Sequence, residues 1–165
     1  MIRQFLIIIL CSLITIPSYS NDINDYVKNE FRSTIPLQAQ SPFSNMIEFL
    51  QLSTNENGEA VMGIAYRVIE SYKPITGIVI VKKDVNKFVL LKADFPDINI
   101  IKNGKNRRKV ASILKPLKDI SFDPDSGERA VDIVSGATRY GAESLNYFNY
   151  MARRVAIEIN KYNNQ

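Results

Sequence analysis

Ile75-Thr76-Gly77-Ile78-Val79-Ile80-Val81 is the stretch that decides the fold. It is dominated by residues branched at Cβ, which restricts χ1 and suits a pleated strand. Its apolar residues do not alternate with polar ones, so it reads as a central strand covered on one face or on both. Outward from it, other strands come into view. Upstream, Val61 to Ile69 alternates through Ile64, Tyr66 and Val68, and Met46 to Leu52 carries Ile47, Phe49 and Leu52. Thr54-Asn55-Glu56-Asn57-Gly58-Glu59 between them has turn chemistry, so the two form a hairpin. Lys73-Pro74 punctuates the way into Ile75. Downstream, Asp84-Val85-Asn86 turns the chain, and Phe88 to Leu91 is a further strand.

The helices are read from spacing. Ile23, Tyr26, Val27, Phe31 and Ile35 predict an amphipathic helix over 22–34, with Asn21 and Asp22 as caps and Pro36 ending it. Gln38 to Ser44, with Pro42, is a loop. Phe95-Pro96-Asp97 and Asn103-Gly104 bracket an irregular stretch. Val110, Ile113, Leu114 and Leu117 predict a short helix from about Arg107 to Leu114, stopped by Pro116. Ile120 to Phe122 is a brief strand and Asp123 to Gly127 a turn. Ala130 to Val134 is a short apolar run. Leu145, Phe148, Ala152, Val155 and Ile159 recur at three-four-three-four spacing, which predicts a long final helix from about Ala142 to Tyr162. The expected fold class is α+β: a largely antiparallel sheet with an N-terminal helix, a short middle helix and a long C-terminal helix.

Residues 1–20 have the pattern of a secretory signal. Arg3 supplies a positive start, Phe5 to Ile16 is apolar, Pro17 breaks the run, and Ser18 and Ser20 put small residues at the −3 and −1 positions of a cut before Asn21. The apolar run is shorter than the ~20 residues of a spanning helix. If the signal is not cleaved, it anchors the chain to a membrane. Cys11 lies inside the apolar run, after the large Leu10, which does not suit a lipoprotein site.

Residues 21–165 then form a single domain with 20 Lys and Arg against 17 Asp and Glu, and with neither cysteine nor histidine. This excludes disulfides, iron–sulfur clusters, attached c-type haem, thiol catalysis and Ser-His-Asp sites. It also removes the commonest transition-metal ligand. Any redox chemistry must then be carried by an organic cofactor. No metal site and no catalytic side chain is expected.

Asp132-Ile133-Val134-Ser135-Gly136-Ala137-Thr138 links the short apolar run to the final helix. In one reading, Ser135 or Thr138 caps that helix and Gly136 takes a turn conformation. In the other, small residues let the backbone approach a phosphate, which the helix N-terminus and Arg139 stabilise. A threonine hydroxyl here can also accept a transferred phosphate group. With no histidine to activate it, attachment needs a separate enzyme.

The seven residues resemble the flavinylation motif of the FMN-binding domain family: Asp, two variable residues, Ser or Thr, Gly, Ala, then Thr or Ser. That family includes flavin-carrying subunits of sodium-pumping NADH:quinone reductase and Rnf-type complexes, and small secreted flavoproteins. The resemblance covers about 60–160, including Tyr72 to Gly77 as a turn into a strand. It implies FMN joined by a phosphoester to Thr138, attached outside the cytoplasm by a flavin transferase that uses FAD. Ser135, Gly136 and Ala137 would shape the turn, and Asp132 would belong to the sequence the transferase recognises. Where many members carry Glu-Thr-Pro-Gly, this chain has Ala93-Asp94-Phe95-Pro96-Asp97. Many members also place a second Ser or Thr two residues after the motif, where Arg139-Tyr140-Gly141 stands here.

Two further features have alternative readings. Lys102, Lys105, Arg107, Arg108, Lys109, Lys115 and Lys118 form a basic stretch. It is either a solvated face or a docking surface for an acidic redox partner or an anionic membrane. Nothing in it suggests nucleic-acid binding. Tyr140, Tyr147, Tyr150 and Phe95 are candidates for stacking on a flavin ring, although half-buried packing is the commoner role.

The resulting expectation is an exported, periplasmic flavoprotein acting as an electron carrier or redox subunit, with a membrane-bound or exported redox partner. The alternatives are a reversible flavin- or ligand-binding sensor or interaction module, and an independent reductase.

Overall fold

The computed structural model describes residues 19–70, 74–126 and 139–165, with side chains of the first and last helices described from Asp25 and Glu143. The chain runs through α1 (Tyr19–Glu30), β1 (Ile35–Pro36), β2 (Phe49–Thr54), β3 (Ala60–Ile69), β4 (Ile75–Lys83) and β5 (Phe88–Asp94). A 3-10 turn (Ile98–Ile100), α2 (Gly104–Leu114), β6 (Ile120–Phe122) and α3 (Arg139–Asn163) follow. The strands form one sheet in sequence order, with every neighbouring pair antiparallel. The protein is α+β, with the helices where the sequence predicts them.

Ile75 to Val81 are all buried, because both faces of β4 are covered. Ile75, Val79 and Val81 face α3 and its residues Leu145, Phe148, Ala152 and Val155. Ile78 and Ile80 face the opposite way, toward Val27 of α1 and Phe31 just after it. The sheet is therefore the middle of three layers. Each fully buried large side chain contributes about 1.5–3 kcal/mol relative to exposure, and α3 places Leu145, Phe148, Met151, Val155 and Ile159 wholly inside.

Two glycines on β3 and β4 let α3 lie close to the sheet. A Cβ at Gly63 would fall 2.5 Å from Val155 Cγ1 and 2.8 Å from Leu52 Cδ2. A Cβ at Gly77 would fall 2.8 Å from Ile69 Cδ1 and 3.0 Å from Phe148 Cε1. The far end of α3 is fastened by Asn163. Its Oδ1 accepts from the Ala60 N–H at 2.7 Å, and its Nδ2 donates to the Ala60 carbonyl at 3.0 Å. This replaces the backbone partner that Ala60 would otherwise seek.

Local chemistry closes the hairpins. Asn55 Oδ1 accepts from the N–H groups of Asn57 and Glu59, each at 3.0 Å, and Gly58 takes φ +81°. Both sheet edges are short, and Pro36 on β1 lacks an N–H to offer a foreign strand.

Some boundaries differ from the spacing argument. The first helix starts at Tyr19 and ends at Glu30, so Asn21 and Asp22 lie inside it rather than capping it. Phe31 stays buried just beyond its end, and Thr34 N–H and Oγ1 bond the Phe31 carbonyl instead of continuing the helix. Ile35 is 55% exposed on β1, not on a helical apolar face. The strand expected from Met46 begins at Phe49, because Ser44 Oγ accepts from Met46 and Ile47 in a preceding turn.

Candidate functional site

Asp132, Ser135, Gly136, Ala137 and Thr138 lie outside the described residues, as does the apolar run Ala130 to Val134. Arg139 is the first residue of α3, so Thr138 immediately precedes that helix in sequence. The side chains of Arg139 and Tyr140 are likewise outside the description. The site is therefore built from what surrounds the start of α3.

α3 runs antiparallel to β3, since Val155 lies over Gly63 and Asn163 reaches Ala60. Its N-terminal half consequently sits where β3 and β5 end and β4 begins. Phe148 rests on Gly77 and meets Phe95 at 5.2 Å between ring centroids. Phe95 is 1% exposed, so it is core and offers no ring face to a ligand. Tyr147 is half-buried, and the Arg67 guanidinium lies over its ring at 3.9 Å. Packing therefore describes Phe95 and Tyr147. Tyr150 is 42% exposed, in a shallow cleft with Arg153, Arg154 and Ile157.

Arg67 is held in place by its own bonds. Its Nε donates to the Val68 carbonyl and its Nη1 to the Met46 carbonyl, both at 3.2 Å. Among the described residues its Nη2 has no acceptor. In the second turn of α3, Ser144 is fully buried and its Oγ has no partner among the described residues. A buried hydroxyl left unpaired is costly; among the described residues the other such hydroxyl is that of Ser53 on β2.

Ala93 to Asp97 also converges here, and its polar groups are occupied. Asp97 accepts from the Thr76 N–H at 2.9 and 3.0 Å and from Thr76 Oγ1 at 2.9 Å. Burial pushes the Asp97 carboxyl above its ordinary value, and the bonds from Thr76 offset only part of that. Asp94 accepts from the Phe95 N–H at 2.8 Å and from Tyr26 Oη at 3.0 Å, and it pairs with Lys92 at 3.1 Å. Lys92 also reaches Glu30 at 3.8 Å and lies over the Tyr26 ring. Burial raises the Tyr26 phenol, which stays neutral and donates. Burial alone would lower Lys92, but hydrogen bonds to Tyr26 and Asp94 carry it above its usual value, so it stays charged. This cluster clamps α1 onto β5.

Spacing did not reveal Arg67 with Tyr147, Thr76 with Asp97, or Ser144. The one available signal was Gly77 inside an otherwise branched strand, which marks a close approach by another element. Among the described residues, no group of three or more His, Cys, Asp or Glu is placed to hold a metal ion. None of the described helices is long and apolar enough to cross a membrane. Compared with family models, characterised proteins and solved structures, the chain matches none.

Proposed function

We propose that the protein is an exported flavoprotein that carries FMN on Thr138 through a phosphoester and transfers electrons outside the cytoplasm. The observation that carries this reading is the match of Asp132 to Thr138 to every fixed position of the flavinylation motif. The antiparallel sheet and the helix beginning directly after Thr138 support it. FMN supplies one- and two-electron transfer, for which the chain beyond residue 20 has no thiol or imidazole of its own.

The surrounding residues fit a phosphate-linked group. The N-terminus of α3 favours negative charge next to Thr138. Arg67 brings a second positive charge to the same end of the sheet, with Nη2 uncommitted among the described residues. Ser144 Oγ has no partner among the described residues. Thr138 would bear the group, Ser135, Gly136, Ala137 and Arg139 would line it, and Asp132 would be read by the transferase. In that attachment the Thr138 oxygen bonds to the FMN phosphorus of FAD, the pyrophosphate bond breaks, AMP leaves, and the hydroxyl proton goes to solvent.

Intact-mass measurement of the mature protein, co-expressed with a flavin transferase, tests the proposal. The expected result is a single FMN adduct that Thr138→Ala abolishes. An adduct that persists in Thr138→Ala, or no adduct in the wild type, overturns it.

One observation favours a second reading, a reversible flavin- or ligand-binding module. Ala93 to Asp97, standing where the family keeps a ring-holding segment, is closed by its own bonds to Thr76, Tyr26 and Lys92. Yellow colour that separates from denatured protein on filtration would support that reading.

A further inference from the structure

We infer that the exposed face of α2 and its flanks, Lys102 to Lys118, is a docking site for an acidic protein surface. Charge in this chain is strongly polarised. Residues 102–118 hold seven of the 21 Lys and Arg and none of the 17 Asp and Glu, leaving 14 basic against 17 acidic residues elsewhere. The fold leaves this charge in solvent around the first turns of α2. Val110 and Ile113 of α2, with Ile101 and Leu117 beside it, are buried in the core on the α3 side of the sheet. Lys102, Lys105, Arg107, Arg108, Lys109 and Lys115 are all left exposed.

These six cations have no ion-pair partner among the described residues, and Lys118 has only its neighbour Asp119 at 3.9 Å. Elsewhere, Lys28, Lys92, Arg154 and Lys161 find carboxylates, whereas Lys82, Lys83 and Lys87 around the β4–β5 turn find none among the described residues. The charge is also misplaced for the helix itself. The first turn of α2 holds Lys105 and Arg107 and no acid, although the positive end of a helix dipole favours carboxylates there. Only the Asn103 side chain serves that end, accepting from the N–H groups of Lys105 and Asn106. Among the described residues no ion pair uses the charge of this first turn.

The chemistry of the face selects the occupant. A helix that inserts into a bilayer offers an apolar side, and here that side is in the core, so a membrane could hold this face by charge only, which the vesicle arm of the test measures. No large apolar residue between 102 and 118 is among those strongly exposed. The stretch has no aromatic residue on which a nucleobase could stack. An acidic protein surface needs only complementary charge, which speeds encounter and fixes orientation. α2 begins four residues after the 3-10 turn that follows Asp97, the residue bonded to Thr76 where β4 begins. A partner on α2 therefore approaches the end of the sheet where α3 starts.

The test uses the full mature chain, with poly-L-glutamate as the acidic probe and vesicles of equal parts phosphatidylglycerol and phosphatidylcholine as the membrane. Arg107→Glu/Arg108→Glu/Lys109→Glu is compared with Lys82→Glu/Lys83→Glu/Lys87→Glu, which makes the same charge change at the β4–β5 turn. At low salt, the α2 variant should lose at least about tenfold in association rate with poly-L-glutamate, and the control less than twofold. The gap should close at about 1 M salt, where the Debye length is about 3 Å. If the reversed variant fails to fold, glutamine triples at 107–109 and at 82, 83 and 87 take the place of both variants, with a loss of at least about threefold expected for α2 alone. Equal losses in both variants, no binding by the wild type, or preferential α2-dependent binding to the vesicles would each overturn the proposal. So would sedimentation showing a dimer that the α2 variant abolishes. Protein made without a transferase should bind equally well, so the outcome does not depend on FMN at Thr138.

Discussion

Gly63→Ala should destabilise the protein by about 1–2 kcal/mol, and Val155→Ala should suppress most of that effect. The added methyl would lie 2.5 Å from Val155 Cγ1 and 2.8 Å from Leu52 Cδ2, against an optimal carbon–carbon separation of about 3.5–4.0 Å. Val155 is fully buried in α3, and a valine in a helix has essentially one favourable χ1, so it cannot turn aside. Overpacking of this kind costs about 1–3 kcal/mol. Removing glycine from a strand interior returns about 0.5–1 kcal/mol. Val155→Ala alone removes two methyl groups from a filled core and should cost about 2 kcal/mol. In the double variant the new methyl occupies space that Cγ1 vacated, so the total should stay near that of Val155→Ala alone. The coupling is then at least about 1 kcal/mol. Urea unfolding of the mature wild type, both singles and the double measures it, with the m-value checking that the transition is unchanged. Gly58→Ala is the control: its φ of +81° makes the substitution strained, but no neighbour lies within 4 Å, so it should not couple to Val155. Energies for Gly63 and Val155 that add to within about 0.5 kcal/mol would refute this account of how α3 is seated.

Other predictions follow from single contacts. Tyr26→Phe removes the 3.0 Å bond to Asp94 and should cost about 0.5–1.5 kcal/mol, with faster amide exchange in α1 as the local readout. Lys105→Glu places an acid in the first turn of α2 and should raise stability by about 0.3–1 kcal/mol, seen as a higher Tm at low salt that fades as salt is added. Asp97 has a folded pKa raised above its ordinary 3.8, so the folded chain binds more protons than the unfolded one between those values. Its contribution is complete below about pH 3.8 and is lost as pH rises through the raised value. The stability difference between wild type and Asp97→Asn should therefore change across that window and be flat above it; a flat difference throughout would contradict the raised value.

Much of the architecture was legible because it is written in local periodicity. The branched run Ile75 to Val81 announced a central strand, and all seven residues are buried. The spacing of Leu145, Phe148, Ala152, Val155 and Ile159 announced the final helix, and all five are fully buried. Ile120 to Phe122 was recognisable even as a three-residue strand. The errors fell where local signals compete. Ile35 extends the helical spacing of Tyr26, Val27 and Phe31, yet it pairs with Thr54 on an edge strand and is exposed. Phe95 was a stacking candidate for which packing was the commoner role, and its pairing with Phe148 decided for packing.

The candidate site divides along the same line. By itself the sequence determined the motif at Asp132 to Thr138, the basic character of 102–118 and the absence of thiols and imidazoles beyond residue 20, because these depend only on which residues stand next to one another. Only the tertiary structure decided that Asp97 caps Thr76 21 residues away, that Tyr26 reaches Asp94 across 68, that Arg67 covers Tyr147, and that Ser144 is buried without a described partner. It also decided that α2 turns its apolar side into the core and leaves its cations outward. Such pairings join groups far apart in the chain, and they form only when the sheet and its two covering layers bring those groups within bonding distance. No periodicity in either partner records them.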